Sequence, residues 1–270
     1  ALHRAVAASR IELRVPGVGG RLDWSPDGSV FVTEGPHDSG IVDIRDARTG
    51  ESVRSFPGHD GDINDVAFNH DGSLLATTGS DGAARIWDVA TGEELHTVLI
   101  PGYDGGWGVW GPSFSPDGSL FAASWPADGV VKLVDLATGD IVRELRSVPW
   151  PNDTSFDPTG ARLAISSQRF PVARVVDGSS GDEMLDLEGP RYAIMDVAWS
   201  PDGESIATAS IDGRATIFDA DTGQRLYALG AGGGAYSLDW SPDSARIVTG
   251  ASDGTARVWL VADGAALEVI

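Results

Sequence analysis

The chain has 270 residues, enough to bury roughly 70 to 75% of its unfolded surface. It contains no cysteine, which excludes disulfides, thiolate metal sites and thiol nucleophiles. Forty acidic against nineteen basic side chains give a net charge of -21, a field that repels phosphate backbones and makes nucleic acid an unsuitable partner.

Residues 1–9 read as a short helix leading in from an attached domain, and RIELRVP (10–16) has the character of a strand, so 1–19 form a lead-in. From 20 to 270 one unit is written six times. Each opens on an aromatic residue and a turn: Trp24-Ser-Pro-Asp-Gly28, Phe68-Asn-His-Asp-Gly72, Phe114-Ser-Pro-Asp-Gly118, Phe156-Asp-Pro-Thr-Gly160, Trp199-Ser-Pro-Asp-Gly203 and Trp240-Ser-Pro-Asp-Ser244. The aromatic positions are 44, 46, 42, 43 and 41 residues apart. Pro suits the early position of such a turn, Asp bonds its own backbone, and Gly takes the left-handed position. A second turn follows a short β-rich run, clearest at Asp81-Gly82, Asp128-Gly129, Asp212-Gly213 and Asp253-Gly254. A third strand then runs to a glycine at 50, 92, 139, 181, 223 or 264, and a fourth strand closes the unit.

Alternation with period two marks strands rather than helices: Ala84 and Ile86, or Val131 and Leu133, share one face, with Arg85 and Lys132 on the other. A lone four-stranded sheet cannot bury both faces, whereas sheets arranged radially bury them against one another. The expected fold is therefore all-β, a β-propeller of four-stranded antiparallel blades with six repeats in this chain. Residues 10–16 and 266–270 both suit the fourth place of the last blade, which leaves ring closure, and further repeats in the intact protein, open.

The period, the S-P-D-G turns, the Asp-Gly turn before the third strand and the pair Trp87-Asp88 resemble the WD-repeat family over residues 20 to 270. The resemblance implies a structural hydrogen-bond network of a His before the first strand, a Ser or Thr in the second, the turn Asp and the Trp. Only the second unit has all four, as His59, Thr77, Asp81 and Trp87. The family likeness further implies that loops joining fourth to first strands share one face, which commonly binds proteins and peptides. On this chain that face holds Tyr103, Trp107, Trp110, Trp150, Arg191, Tyr192 and Tyr236, residue types enriched in binding hot spots. Trp24, Trp199 and Trp240, before the turns, are read as core.

Other motifs dissolve on inspection. Gly106-Trp-Gly-Val-Trp-Gly111 has the glycine spacing of a dinucleotide loop, but it runs into Pro112 and no helix can follow to present its N–H groups to a phosphate. Asp60-Gly-Asp62-Ile-Asn64-Asp65 begins like a calcium loop but lacks the glycine at the sixth position and the bidentate Glu at the twelfth. Histidines 3, 37, 59, 70 and 96 form no pair at metal-ligand spacing, and no catalytic constellation is visible, so no enzyme, cofactor or metal is expected.

Eighteen of the nineteen basic residues are arginine, which suggests a GC-rich bacterial genome. No apolar run reaches the ~20 residues of a membrane span, and the start lacks a secretory signal, so a cytoplasmic setting is expected. The reading that results is a non-catalytic protein or peptide scaffold, or a sensor module, of a bacterial regulatory protein. Its aromatic face would dock a partner of basic character or attached domains of the same polypeptide. The alternative is a propeller, enzyme or sensor, that takes a small ligand, sugar or metal in its central channel. Carboxylates or histidines converging in that channel would distinguish it.

Overall fold

The computed structural model describes residues 22–36, 39–99, 105–262 and 264–269. They form six sheets, each of four strands consecutive in sequence with antiparallel neighbours. Blade one is β1 (Leu22–Trp24), β2 (Val30–Glu34), β3 (Ile41–Asp46) and β4 (Ser52–Pro57); blade two is β5 (Ile63–Phe68), β6 (Leu74–Gly79), β7 (Ala83–Asp88) and β8 (Glu94–Leu99). Blade three is β9 (Trp110–Phe114), β10 (Leu120–Trp125), β11 (Val130–Asp135) and β12 (Ile141–Leu145); blade four is β13 (Pro151–Phe156), β14 (Arg162–Ser167), β15 (Ala173–Asp177) and β16 (Glu183–Asp186). Blade five is β17 (Ile194–Trp199), β18 (Ser205–Ser210), β19 (Arg214–Asp219) and β20 (Arg225–Gly230); blade six is β21 (Ala235–Trp240), β22 (Arg246–Ala251), β23 (Ala256–Leu260) and β24 (Ala266–Val269). The fourth place of blade six is thus taken by β24; residues 1–19 lie outside the described residues.

The turns form for local reasons. In the first, the Gly28 N–H donates to Ser25 O (2.8 Å) while the Asp27 carboxylate accepts from the Ser25 hydroxyl (2.7 Å) and the Ser29 N–H (2.9 Å). Glycine supplies the left-handed position at 28, 72, 118, 160 and 203, whereas Ser244 adopts φ 57° in the sixth unit. The aspartate ending the third strand has its own task. Asp46, Asp88, Asp135, Asp177 and Asp219 each accept the N–H of the residue three positions on, at 2.7 to 3.0 Å, and so cap the turn into the fourth strand. The sixth unit has Leu260 there.

Side chains of successive blades interlock in five buried clusters, joining blade one to two, two to three, three to four, four to five, and five to six. Fully buried anchors such as Phe121, Trp125, Ile206 and Phe218 each contribute about 1.5–3 kcal/mol by leaving water. One register position records each junction: Val32, Ala76, Ala122, Ala164 and Ala207 are all 0% exposed, because the next blade covers them. Its counterpart in blade six, Val248, is 39% exposed. At the other end Trp24 is 50% exposed, whereas Trp199 and Trp240 are buried. Trp24 is therefore not the core residue that its place before the turn suggests, since no described cluster packs a sixth blade against its side.

Candidate partner-binding face

Loops from fourth to first strands and loops from second to third strands emerge at the same end of each blade, because strands alternate in direction. The segment GGWGVWG makes the passage from blade two to blade three. Two of its glycines answer to close backbone approach: a Cβ on Gly111 (φ 56°) would stand 2.4 Å from Asp153 Cα, and one on Gly108 (φ 68°) 2.5 Å from Gly79 O. The Thr154 hydroxyl donates to Gly111 O (2.7 Å) and the Asn64 amide to Val109 O (3.0 Å), locking the passage to both flanking blades.

Of the expected face residues, the structure brings Trp107 and Trp150 together, edge to face at 84° with ring centroids 6.4 Å apart. Trp107 is half exposed, and Trp110 supports it by donating its indole N–H to Trp107 O (2.5 Å). Trp150 has φ 51°, an uncommon backbone state for a bulky residue that persists only where surroundings impose it. Here the Ser167 hydroxyl donates to Pro149 O (2.5 Å) and the Gln168 N–H to Trp150 O (3.1 Å). The same β14–β15 loop supplies two residues that sequence reasoning missed. Arg169 lays its guanidinium 3.6 Å from the Trp150 centroid and 5.3 Å from that of Trp107, and Phe170 is 45% exposed beside it. Their only signal was that the fourth unit has Gln168-Arg-Phe-Pro171 where others have Asp-Gly.

Tyr192 and Tyr236 are exposed on the same face nearer blades five and six, with exposed Ile211 beside them and the Arg191 N–H donating to Asp212 (3.0 Å). Among the described residues no ring contact joins them to the tryptophan pair. Tyr103 lies outside the described residues.

The four network residues of blade two form one chain of bonds. The Trp87 indole N–H donates to Thr77 Oγ1 (2.9 Å), Thr77 Oγ1 meets His59 Nε2 (2.8 Å), and His59 Nδ1 meets Asp81 Oδ1 (2.8 Å). One assignment of protons satisfies these three bonds: the hydroxyl donates to Nε2 and Nδ1–H donates to the carboxylate, while the Arg85 guanidinium, 2.6 Å from Nδ1, donates to the same carboxylate. Bonds from His59 and Arg85 hold the Asp81 carboxyl well below its ordinary range, against the opposing effect of its burial. Blade six has only the fragment Trp259 to Thr249 (3.1 Å).

The first strands of successive blades lie side by side, and they carry a feature absent from the sequence reading. Asp65, Asp153 and Asp196 stand three positions before the recurring aromatic, and Asp23 and Asp239 one position before it, so by alternation all five share a face. The Phe68 N–H donates to Asp23 (2.7 Å), the Val197 N–H to Asp153 (2.9 Å) and the Leu238 N–H to Asp196 (2.8 Å). Inner edge strands expose unpaired backbone donors, and these carboxylates satisfy them from the preceding blade. Burial pushes Asp23 and Asp196 up to about 6. Burial, then the negative charges of Asp196 and Asp65, raise Asp153 well above the ordinary value. The bond between the two side chains favours the protonated form of Asp153 and the ionised form of Asp196. Among the described residues no three His, Asp or Glu side chains are arranged to hold a metal ion, and no helix is long and apolar enough to cross a membrane.

Six radial four-stranded sheets, the aspartate-capped turns and the His–Thr–Asp–Trp chain define a WD-repeat β-propeller. The family model "WD domain, G-beta repeat" matches residues 50–88, 92–135, 181–219 and 223–259, more than half of the chain, and the chain belongs to that family. Among its relatives is the WD repeat-containing protein VIP3 of Arabidopsis thaliana, 28% identical over 177 residues, which cover 66% of this chain and 45% of that protein. Eukaryotic translation initiation factor 3 subunit I is similar as well: the protein of Scheffersomyces stipitis is 29% identical over 191 residues (65% of this chain, 53% of that one). The protein of Emericella nidulans is 29% identical over 182 residues (63% and 52%). The chain thus spans about half the length of the curated relatives it matches.

Proposed function

We propose that this propeller is a non-catalytic docking module whose loop face binds a protein or peptide. The observation that carries this reading is the assembly, from three separate loops, of Trp107, Trp150 and Arg169 into one accessible aromatic group on the face that also exposes Tyr192 and Tyr236. Rigid aromatic and Arg side chains are the groups that dominate interface energies. Exposed Asp60, Asp128, Glu188 and Asp253 on the same loops favour a partner segment of basic overall charge and disfavour nucleic acid. Membership of the WD-repeat family and similarity to a subunit of a translation initiation factor support a scaffold rather than an enzyme. The arginine bias supports a GC-rich bacterial source, and the setting we propose is a cytoplasmic regulatory protein in which attached domains of the same polypeptide are candidate partners.

The test is quantitative partner capture with the parent chain and a Trp107→Ala, Trp110→Ala, Tyr192→Ala variant. The variant is expected to lose most bound partners, and equal capture by both sinks the reading. The channel carboxylates favour a second reading, a cationic ligand in the channel. Their existing bonds to backbone N–H groups oppose it, and thermal shifts of several degrees with one metal or amine would establish it.

A further inference from the structure

The arginines of this acidic chain are mostly bound by acceptors. Arg45, Arg85, Arg162, Arg174 and Arg257 pair with carboxylates, and Arg54, Arg143 and Arg146 donate to backbone carbonyls. Arg169 differs from these, and from exposed arginines such as Arg214 and Arg225, in what holds it: among the described residues it makes no hydrogen bond or ion pair, and its guanidinium lies over the rings of two tryptophans. Stacking fixes the plane of a guanidinium while leaving the N–H groups in that plane free. The supports of the stack are themselves fixed: Trp150 by the bonds from the Ser167–Gln168 segment, and Trp107 by Trp110.

We propose that Trp107, Trp150 and Arg169 form a subsite for a single carboxylate, an Asp or Glu side chain of the docked peptide, with an adjacent apolar side chain resting on exposed Phe170. This inference rests on the docking reading and narrows it. A planar five-donor fork matches a carboxylate bidentately, and its prior immobilisation removes much of the ordering cost that an exposed arginine pays on binding. The net charge of -21 does not forbid this. At physiological ionic strength charges are screened over about 8 Å, so the guanidinium in contact outweighs carboxylates elsewhere on the surface. A segment basic along its length with one acidic residue at this position meets both the rim and the subsite.

The experiment uses the full 270-residue chain and three fluorescein-labelled peptides, alike except for Phe-Glu, Phe-Gln or Phe-Lys at the centre, with anisotropy as readout. The Glu peptide is expected to bind at least tenfold more tightly than the Gln peptide, and the Lys peptide least. Arg169→Gln should abolish the preference for Glu over Gln, and Arg169→Lys should restore only part of it. Circular dichroism of these surface variants establishes that they fold. Equal binding of Glu and Gln peptides, no measurable binding of any, or a Glu preference that survives Arg169→Gln overturns the proposal. So does preference for Lys, which would make Arg169 an internal occupant of a cation site. If charge preference is absent while the aromatic triple variant still loses its partner, only the subsite fails and the docking face stands.

Discussion

Replacing Thr77 by valine probes the bond chain of blade two with little change in shape. Thr77 is fully buried, and its hydroxyl both accepts from the Trp87 indole (2.9 Å) and faces His59 Nε2 (2.8 Å). Valine leaves two buried polar groups without partners, each costing about 1–3 kcal/mol, while the added methyl returns about 0.8 kcal/mol. The expected loss is about 1–5 kcal/mol, which lowers Tm by roughly 2 to 20 °C for a chain of this size. Urea unfolding followed by tryptophan fluorescence measures it. Trp87→Phe in the same background gives the control, because once the hydroxyl is gone the indole N–H is already unpaired. The two substitutions should therefore be less than additive by about 1 kcal/mol. A loss below about 1 kcal/mol for Thr77→Val, or strict additivity, refutes the bond chain as a source of stability.

Asp23 and Asp196 titrate near 6 in the folded protein against 3.8 in an unfolded chain, so the folded state holds extra protons across that window and stability falls as pH rises through it. The turn carboxylates Asp27, Asp177 and Asp253, held at about 2 by hydrogen bonds, act oppositely: their contribution is lost as pH falls from 3.8 toward 2. Thermal melts should therefore show maximal stability between about pH 4 and 5. Asp196→Asn, which keeps an acceptor for Leu238 and donates to Asp153, should raise stability by about 1–3 kcal/mol at pH 7.5 and flatten the slope; an unchanged slope refutes the assignment. Ala207→Leu should cost about 1–3 kcal/mol by overpacking the junction of blades five and six, whereas Val248→Leu at the equivalent position should be nearly neutral in the same melts. Gly111→Ala, with Asp153 backbone in its way, should cost about 2–4 kcal/mol, and Gly118→Ala, with a similar φ but open space, about 1 kcal/mol; equal costs in urea titrations would show that close approach is not the reason for Gly111.

What could be read from the residues is what the residues decide locally. Glycines 28, 72, 118, 160 and 203, with the neighbouring turn residues, carry the first turn of five units, and the strand limits follow from them. The partnership of Trp107 with Trp150 depends on two loops being brought together by blade packing, so the sequence could name both residues without pairing them. Arg169 and Phe170 sit in a loop of a kind expected to be only a turn. The channel aspartates were legible in principle, since their odd offsets from the aromatic recur. They were missed because alternation was followed along the third strands and not along the first. Trp24 was misplaced for another reason: the same motif is buried or exposed according to whether a neighbouring blade is there to cover it.

Among the described residues no cluster covers the side of blade six that faces away from blade five, where Val248 is 39% exposed. Blades in contact only with their neighbours stabilise one another in series, and each described interior blade has two such contacts where blade six has one. A series with an end lacks full cooperativity, so β22 to β24 should open at lower free energy than β14 to β19 and should exchange their amide hydrogens first. Whatever the loop face holds near blades three and four is thereby mounted on the part of the molecule that opens last, while the segment around Tyr236 is mounted on a part that opens earlier.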